Sequence, residues 1–454
     1  MNRIKIPSID YLLNNIRIDG LTDHEILKKL IKEFVESYKK NKGIETDSKE
    51  RFLAETAEYI LSTIKNPFKP VINGSGIILH TNLGRAPLSQ EVYEKSKEQI
   101  CNYTNLEFDL NSGTRGDRND HLKGIIRLLT GTEDAIIVNN NAAAVWLVLN
   151  EFSKAKEVIV SRSELIEIGG SFRIPDIMEA SGSILKEVGT TNCCRLSDYK
   201  KDINDNTAMI FKAHQSNYYI GGHTEETDLQ DLCLLAKENN LISYYDMGSG
   251  LLKKSNLLSQ CKEHTVKEVI EIGVDLISFS ADKLIGGPQA GIIAGRKDLI
   301  KRLSKNPLMR VLRVDKITLS ILYNCLEMYL DECRLEKHNP VFKYLSRDLN
   351  YLNKLGKKLS RLFNANSIKT KIVNSEARTG GGTLPAFVID SLALEFICDK
   401  LLAEKLYFYL LNCENPIVCI LKEGTLYLDL LCINEKDSDL IIKTITEGFK
   451  RCAI

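Results

Sequence analysis

Between residues 71 and 300, short runs rich in β-branched residues alternate with longer amphipathic ones, which restricts the chain to few architectures. The short runs are AIIVNN at 135–140, EVIVS at 157–161, AMIFKAH at 208–214, LISYYD at 241–246 and DLISFS at 275–280. Helical patterns such as DLQDLCLLAKENN lie between them. Strands that alternate with helices build a mostly parallel sheet covered by helices, an α/β fold. Ligands of such sheets sit beyond the carboxyl ends of the strands, so chemistry is expected where each run stops.

On either side the pattern changes. Residues 1–66 read as a helical N-terminal domain, with Ile26, Leu27, Leu30, Ile31 and Phe34 at helical spacing and a second apolar pattern from Phe52 to Ile64. Pro67 and Pro70 end it, and residues 67–330 form the large domain, closed by an apolar helix from Ile317 to Leu330. Residues 331–454 read as a small α+β domain, with a helix from Tyr344 to Phe363 and strands at LPAFVID, IVCIL and TLYLDLL.

Charge narrows the partners. The 454 residues carry 61 Lys and Arg against 60 Asp and Glu, so no global field attracts a polyanion and any anion must be held locally. Lys28, Lys29, Lys32, Lys39, Lys40 and Lys42 crowd one stretch of the first segment, as on a solvated helix face. No run of about 18 apolar residues occurs, and the start MNRIKIPSIDYLL lacks a signal-peptide core. A cytoplasmic protein without membrane attachment is expected. The 12 cysteines include no CxxC spacing, which suggests reduced thiols and no metal site.

The strand ends then supply candidates. AIIVNN runs into Asn140, Asn141 and Ala142 ahead of a helix, where free N–H groups and small side chains make a cup for phosphate or carboxylate. The next ends offer His214, Ser216 and Asn217, then Asp246, then Ser280 followed by Lys283, Gly286 and Gly287. A lysine amine, a carboxylate 37 positions before it and helix-end donors match what pyridoxal 5'-phosphate requires. The amine forms the Schiff base, the carboxylate keeps the ring nitrogen protonated, and the donors hold the phosphate. Asp246 suits the carboxylate role, His214 or Asn217 could approach the ring or its phenolic oxygen, and Ser280 could reach the phosphate. Glycine at Gly287 permits close backbone approach. Arg85 stands in HTNLGRAPLS, and Arg310 and Arg313 three residues apart in NPLMRVLRVDK, as guanidinium forks suited to phosphate or carboxylate. TRGDRNDHLKG, with Arg115 and Arg118, has no metal-ligand spacing and reads as a subunit or domain contact.

The segments INGSGIILHTNLGRAPLS, RNDHLKGIIRLLTGTEDAIIVNNNAAAV, ELIEIGGSFRIPDIMEASG, DMGSG, SADKLIGGPQAGII, LMRVLRVDK and TGGGTLP together resemble the bacterial selenocysteine synthase family, the L-seryl-tRNA(Sec) selenium transferases. The resemblance runs over nearly the full chain. It implies a fold-type I pyridoxal phosphate enzyme, a tRNA-binding N-terminal domain and a homo-oligomer assembled as a ring of dimers. It makes Lys283 the Schiff-base lysine, with Asp282 beside it assisting the chemistry. Arg85, Arg310 and Arg313 would hold the phosphate of selenophosphate, Asp246 would face the ring nitrogen and Asn217 the phenolic oxygen. The ring-stacking group is expected between Glu167 and Phe172.

The implied reaction removes water from the serine carried by tRNA(Sec), leaving an aminoacrylyl ester to which selenium from selenophosphate adds. Two other readings compete: a lyase of a free amino acid or amino sugar acid on the same scaffold, and a non-catalytic tRNA-binding subunit. The N-terminal helical segment speaks against the first, and the pairing of Lys283 with Asp246 against the second.

Overall fold

The computed structural model describes residues 4–168, 172–254, 258, 261 and 263–453. Internal contacts divide the chain into two units, Met1–Pro70 and Val71–Ile454.

The first unit is three helices, α1 (Ile9–Asn15), α2 (His24–Lys42) and α3 (Lys49–Ile64). Each starts where a short polar side chain takes up an N–H group that the helix itself cannot satisfy. Ser8 accepts from Tyr11 at 3.2 Å, Asp23 from Glu25 at 2.9 Å, and Ser48 from Arg51 at 3.1 Å. Leu27, Leu30, Ile31 and Val35 line the buried face of α2 and meet Leu12, Phe52 and Ile60. Each such side chain contributes about 1.5–3 kcal/mol by leaving water. Lys29, Lys32, Lys39, Lys40 and Lys42 are exposed, as a solvated face requires.

The second unit is organised by a seven-stranded sheet: β1 (Asp134–Val138), β2 (Glu157–Ser161), β3 (Ile184–Val188), β4 (Thr207–Ala213), β5 (Ile242–Gly248), β6 (Leu276–Ser280) and β7 (Gly291–Gly295). The order is β3-β2-β4-β5-β6-β7-β1. From β3 to β6 all pairs are parallel, whereas β7 runs antiparallel to both its neighbours. This is the mostly parallel sheet that the alternation implied, in the fold-type I arrangement that the family resemblance implied. Register sets Ala213 opposite Asp246 and Asp246 opposite Ser278, so β4, β5 and β6 end side by side. The helix after β1, α4 (Asn141–Ser153), buries Ala144, Val145, Leu147, Val148 and Leu149. It therefore packs deep, with its first turn at the sheet's working edge.

Toward the C-terminus, β8 (Thr370–Gly380) and β9 (Thr383–Phe396) pair antiparallel in a four-stranded sheet. Gly380, Gly381 and Gly382 at their junction have φ of 74°, 62° and 71°, a left-handed run that side-chain-bearing residues resist. The single helix expected from Tyr344 to Phe363 is two, Pro340–Leu345 and Leu349–Ala365. Asp348 breaks it by capping the second helix at Tyr351 N, 2.7 Å away, while the buried Arg347 donates to the carbonyl of Ile433 at 2.7 Å. No helix among the described residues is long and apolar enough to cross a membrane.

Candidate active site

Lys283 follows β6 in a tight turn, in which Gly286 N donates to the Lys283 carbonyl at 2.9 Å and Gly287 N to the Ala281 carbonyl at 2.9 Å. The side chain is buried, and among the described residues its amine donates only to the Gly382 carbonyl, at 3.5 Å. Burial lowers its pKa from the ordinary lysine value; Asp246 and Asp282 offset this in part, and Arg85 lowers it further. An amine in that position is closer to its neutral, nucleophilic form than one in water.

Asp246 lies near the end of β5, within its buried run, and is itself buried. Its Oδ1 accepts from Asn141 Nδ2 at 2.7 Å and from Ser278 Oγ at 3.3 Å. Burial pushes the carboxyl pKa up, against the opposing pull of Asn141, Lys283, Ser278 and His214. Its carbonyl accepts the backbone N–H of His214 at 2.9 Å. The ends of β4 and β5 and the start of α4 are thereby tied together.

Asn140 caps α4, its side chain accepting from Ala143 N at 2.8 Å. The N–H groups of Asn141 and Ala142 that follow have no acceptor within the helix and sit at its positive end. Ser280 is buried at the end of β6. Asn217 is exposed and donates to the Glu167 carbonyl at 2.7 Å. Of the stretch in which a ring-stacking group was expected, residues 169–171 lie outside the described residues.

Arg85 and Asp282 do meet: Nη1 lies 2.7 Å from Oδ2, and Ala86 N donates to the Asp282 carbonyl at 3.4 Å. Arg85 has a φ of 62°, uncommon for a residue with a side chain, and its buried Nε has no acceptor. Arg310 and Arg313 stand elsewhere. With Arg115 and Arg118 they line a cavity of about 400 Å³ around Glu107, and none of Lys283, Asp246 and Arg85 borders it. Arg118 and its neighbours hold the Glu107 carboxyl below its ordinary pKa despite some burial. Leu312, between the two arginines, accepts from Asn139 N at 3.1 Å and so fastens this loop to the strand before the α4 cup.

Two participants, Ser278 and Glu263, carried no clear signal in the sequence, whereas Ser216 stood among the strand-end candidates. Ser216 is buried near Lys283, since a Cβ added to Gly382 would lie 3.5 Å from Ser216 Oγ and 3.8 Å from Lys283 Nζ. Ser278 could have been read as the same-face neighbour of Ser280 on a strand. Glu263 comes from a loop without periodicity; its Oε2 lies 3.3 Å from His214 Nε2, and Ser249 Oγ donates to its Oε1. That 3.3 Å approach has ion-pair distance but not hydrogen-bond alignment, and both atoms are buried without a hydrogen-bond partner.

The residues fit an aldehyde cofactor with a phosphate and a basic ring nitrogen. Lys283 is a buried amine with one weak acceptor, and Asp246 a buried carboxylate beside it. Asn141 Oδ1 and His214 Nε2 are buried polar atoms left without hydrogen-bond partners. A Cβ at Gly248 would come within 3.6 Å of the amine, so glycine there keeps space open.

Comparison with known proteins accords with this geometry. The family model described as L-seryl-tRNA selenium transferase (SelA) matches residues 71–434. The L-seryl-tRNA(Sec) selenium transferase of Aquifex aeolicus is 42% identical over 425 residues, 93% of this chain and 92% of the relative. That of Alkaliphilus metalliredigens is 38% identical over 457 residues, covering 97% of each. Among solved structures, D-glucosaminate-6-phosphate ammonia-lyase shares the fold with a TM-score of 0.60 at 17% identity, covering 87% of this chain and 99% of that one.

Proposed function

The chain belongs to the L-seryl-tRNA selenium transferase family, and on that premise we infer that it converts seryl-tRNA(Sec) to selenocysteinyl-tRNA(Sec) with pyridoxal 5'-phosphate held at Lys283. The observation that carries the cofactor assignment is the buried Lys283 amine, with lowered pKa, beside the buried Asp246 carboxylate. Pyridoxal phosphate supplies an aldehyde for the amine and a ring that accepts charge from the substrate α-carbon. Asp246 is the partner for the ring nitrogen, whose positive charge would restore the ionised carboxylate that burial disfavours. Asn141 and Ala142 offer backbone donors for the phosphate, with Ser280 at the neighbouring strand end. His214 and Asn217 are the candidates for the ring and its phenolic oxygen.

Lys283 has two tasks. It would hold the cofactor, and its amine, when not so engaged, would be placed to remove the α-proton of the seryl group. The seryl hydroxyl then departs as water, selenium from selenophosphate bonds to the β-carbon, a proton returns to the α-carbon, and water cleaves the selenium–phosphorus bond so that inorganic phosphate leaves. Asp282 stands next in sequence to Lys283 and orients Arg85 through their ion pair. Arg85, with its unsatisfied Nε, is available for the phosphate of the donor.

Arg310 and Arg313 serve the same anion in this reading. Because their cavity does not include Lys283, a second copy of the chain bringing them to the reacting centre accounts for both placements, in line with a ring of dimers. The exposed lysines of α2 make the N-terminal unit the candidate tRNA-binding domain, through phosphate contacts whose strength would fall with salt. The cytoplasm, where charged tRNA is available, is the compartment this reading requires.

The test supplies purified protein with pyridoxal phosphate and selenophosphate, and with either seryl-tRNA(Sec) or free serine. Selenocysteinyl-tRNA is expected from the first mixture and no selenocysteine from the second. Turnover of free serine alone would favour a lyase.

A further inference from the structure

We propose that the cavity beside His214 and Glu263 seats the terminal adenosine of the aminoacyl-tRNA, an inference that rests on the transfer reaction inferred for Lys283. The covalent structure of the substrate makes a neighbouring seat necessary. A seryl group whose α-carbon meets Lys283 is esterified to a ribose only a few bonds away, so the last nucleoside of the tRNA must lie next to the reacting centre.

A cavity of about 730 Å³ lies there, within the size range of small-molecule sites. His214 and Glu263 form part of its wall, and His214 is bonded through its backbone to Asp246. Leu384, also in its wall, is two residues from Gly382, the acceptor of the Lys283 amine. Lys283, Asp246 and Asn141 do not border it, so it adjoins the candidate cofactor seat at His214 without containing the reacting amine.

Its chemistry selects among ligands. Among the described residues Lys212 is the one Lys or Arg on the wall, which also carries the carboxylates of Glu226, Asp228 and Glu263. Lys212 is already paired with Glu164 at 3.0 Å and with Glu226. Free phosphate, selenophosphate and the carboxylate of a free amino acid are therefore repelled. A neutral ligand rich in donors is favoured, and Glu263 Oε2, nine-tenths buried and without a hydrogen-bond partner, is an acceptor waiting for one. A ribose hydroxyl or an adenine amino group supplies it. Phe387 and Tyr219 offer flat surfaces for the base, Tyr219 being 71% exposed, and stacking on aromatic rings is how proteins commonly hold unpaired bases.

The experiment uses the full chain in two arms. Saturation-transfer NMR with adenosine detects the nucleoside site without any turnover, and steady-state kinetics with seryl-tRNA(Sec) reads its use. Adenosine is expected to bind, and neither free serine nor inorganic phosphate to displace it. Tyr219→Ala, at an exposed position that cannot disturb packing, and Phe387→Ala are each expected to weaken adenosine binding roughly fivefold to a hundredfold, the range for losing one stacking partner. Each should raise KM for seryl-tRNA(Sec) by a similar factor with kcat little changed, as for a lost ground-state contact. Phe408→Ala, on an exposed helix face, should change neither quantity. Absence of an adenosine signal, or both quantities unchanged in Tyr219→Ala and Phe387→Ala, would overturn the proposal while leaving the transfer reaction standing. Adenosine binding by a chain that forms no selenocysteinyl-tRNA would instead overturn the tRNA end as occupant.

Discussion

Lys212 and Lys283 are both buried lysines at the working edge of one sheet, the first at the end of β4 and the second after β6, with β5 between them. Their surroundings are opposite. Lys212 donates to Glu164 at 3.0 Å and also to Glu226, and these carboxylates overcome the effect of burial and raise its pKa above the ordinary value. Lys283 has a single carbonyl at 3.5 Å and carboxylates too distant to restore what burial removes, so its pKa falls. A well-paired lysine is a locked cation without a lone pair to offer, whereas a poorly paired one is easily made neutral. Placement at a strand end is shared by both, so the number and closeness of carboxylates decides which amine can react.

Replacing each lysine with arginine breaks that comparison most sharply, because arginine keeps the charge and cannot act as the amine. Lys283→Arg should lower turnover by about 10^4-fold, the upper range for losing an acid–base group, and the purified protein should lack the yellow cofactor colour. Lys212→Arg should keep the colour and most of the activity, since guanidinium can still pair with Glu164 and Glu226. Absorbance spectra of the two variants, taken beside their turnover rates, check both statements. Colour retained in Lys283→Arg and lost in Lys212→Arg would exchange their roles.

The next effect falls on stability. Glu164 is buried and also accepts from Ala213 N at 3.1 Å. Glu164→Gln should cost about 3 kcal/mol, near the low end for breaking a buried pair because Glu226 remains. Glu226 is exposed, and Glu226→Gln should cost less than about 1 kcal/mol. Urea midpoints at constant m-value separate the two. Equal losses would mean that Lys212 does not distinguish its partners.

The same contrast explains what the sequence could disclose. Strands β1, β2, β4, β5 and β6 are legible because burial on both faces makes each an unbroken apolar run. β3 is an edge strand with Lys186 half-buried and Glu187 exposed, and β7 is a five-residue strand with glycine at both ends, so neither advertised itself. Lys283 and Asp246 were legible as residues at strand ends, and the family resemblance sharpened the reading of Arg85 and Asp282. Glu164, Glu263 and Gly382 were not. Gly382 reaches Lys283 from 99 positions away, and no local pattern encodes a contact made only when two sheets assemble. For the same reason Arg115 and Arg118, read as a separate segment, share a cavity with Arg310 and Arg313.

A smaller effect is expected at Arg85. Arg85→Lys keeps a positive charge beside Asp282 but loses the planar fork and the free Nε. KM for selenophosphate should rise roughly tenfold, as for one charge-assisted hydrogen bond, with the cofactor colour unchanged. A matching loss of colour would place Arg85 with the cofactor and not with the donor.

The finest test uses the protein without cofactor, where the two lysines should pull stability in opposite directions as pH changes. The folded-state pKa of Lys283 is depressed below its ordinary 10.5, so holding the amine charged inside the protein costs stability. That cost is present in full below the depressed value and disappears as pH rises toward 10.5. Lys283→Met should therefore stabilise the cofactor-free protein at neutral pH, and the gain should shrink on approaching 10.5. For Lys212 the folded pKa is raised, so its pairing contributes stability throughout the range below 10.5, lost only as pH passes the raised value. Lys212→Met should be destabilising at neutral pH and should show no recovery over the interval in which the Lys283→Met gain vanishes. Urea midpoints of both variants, measured between pH 7 and pH 10 at about one-unit steps, test the signs directly. A gain for Lys283→Met that grew with pH would contradict a depressed lysine, and with it the reason that this amine is available for reaction while its neighbour is not.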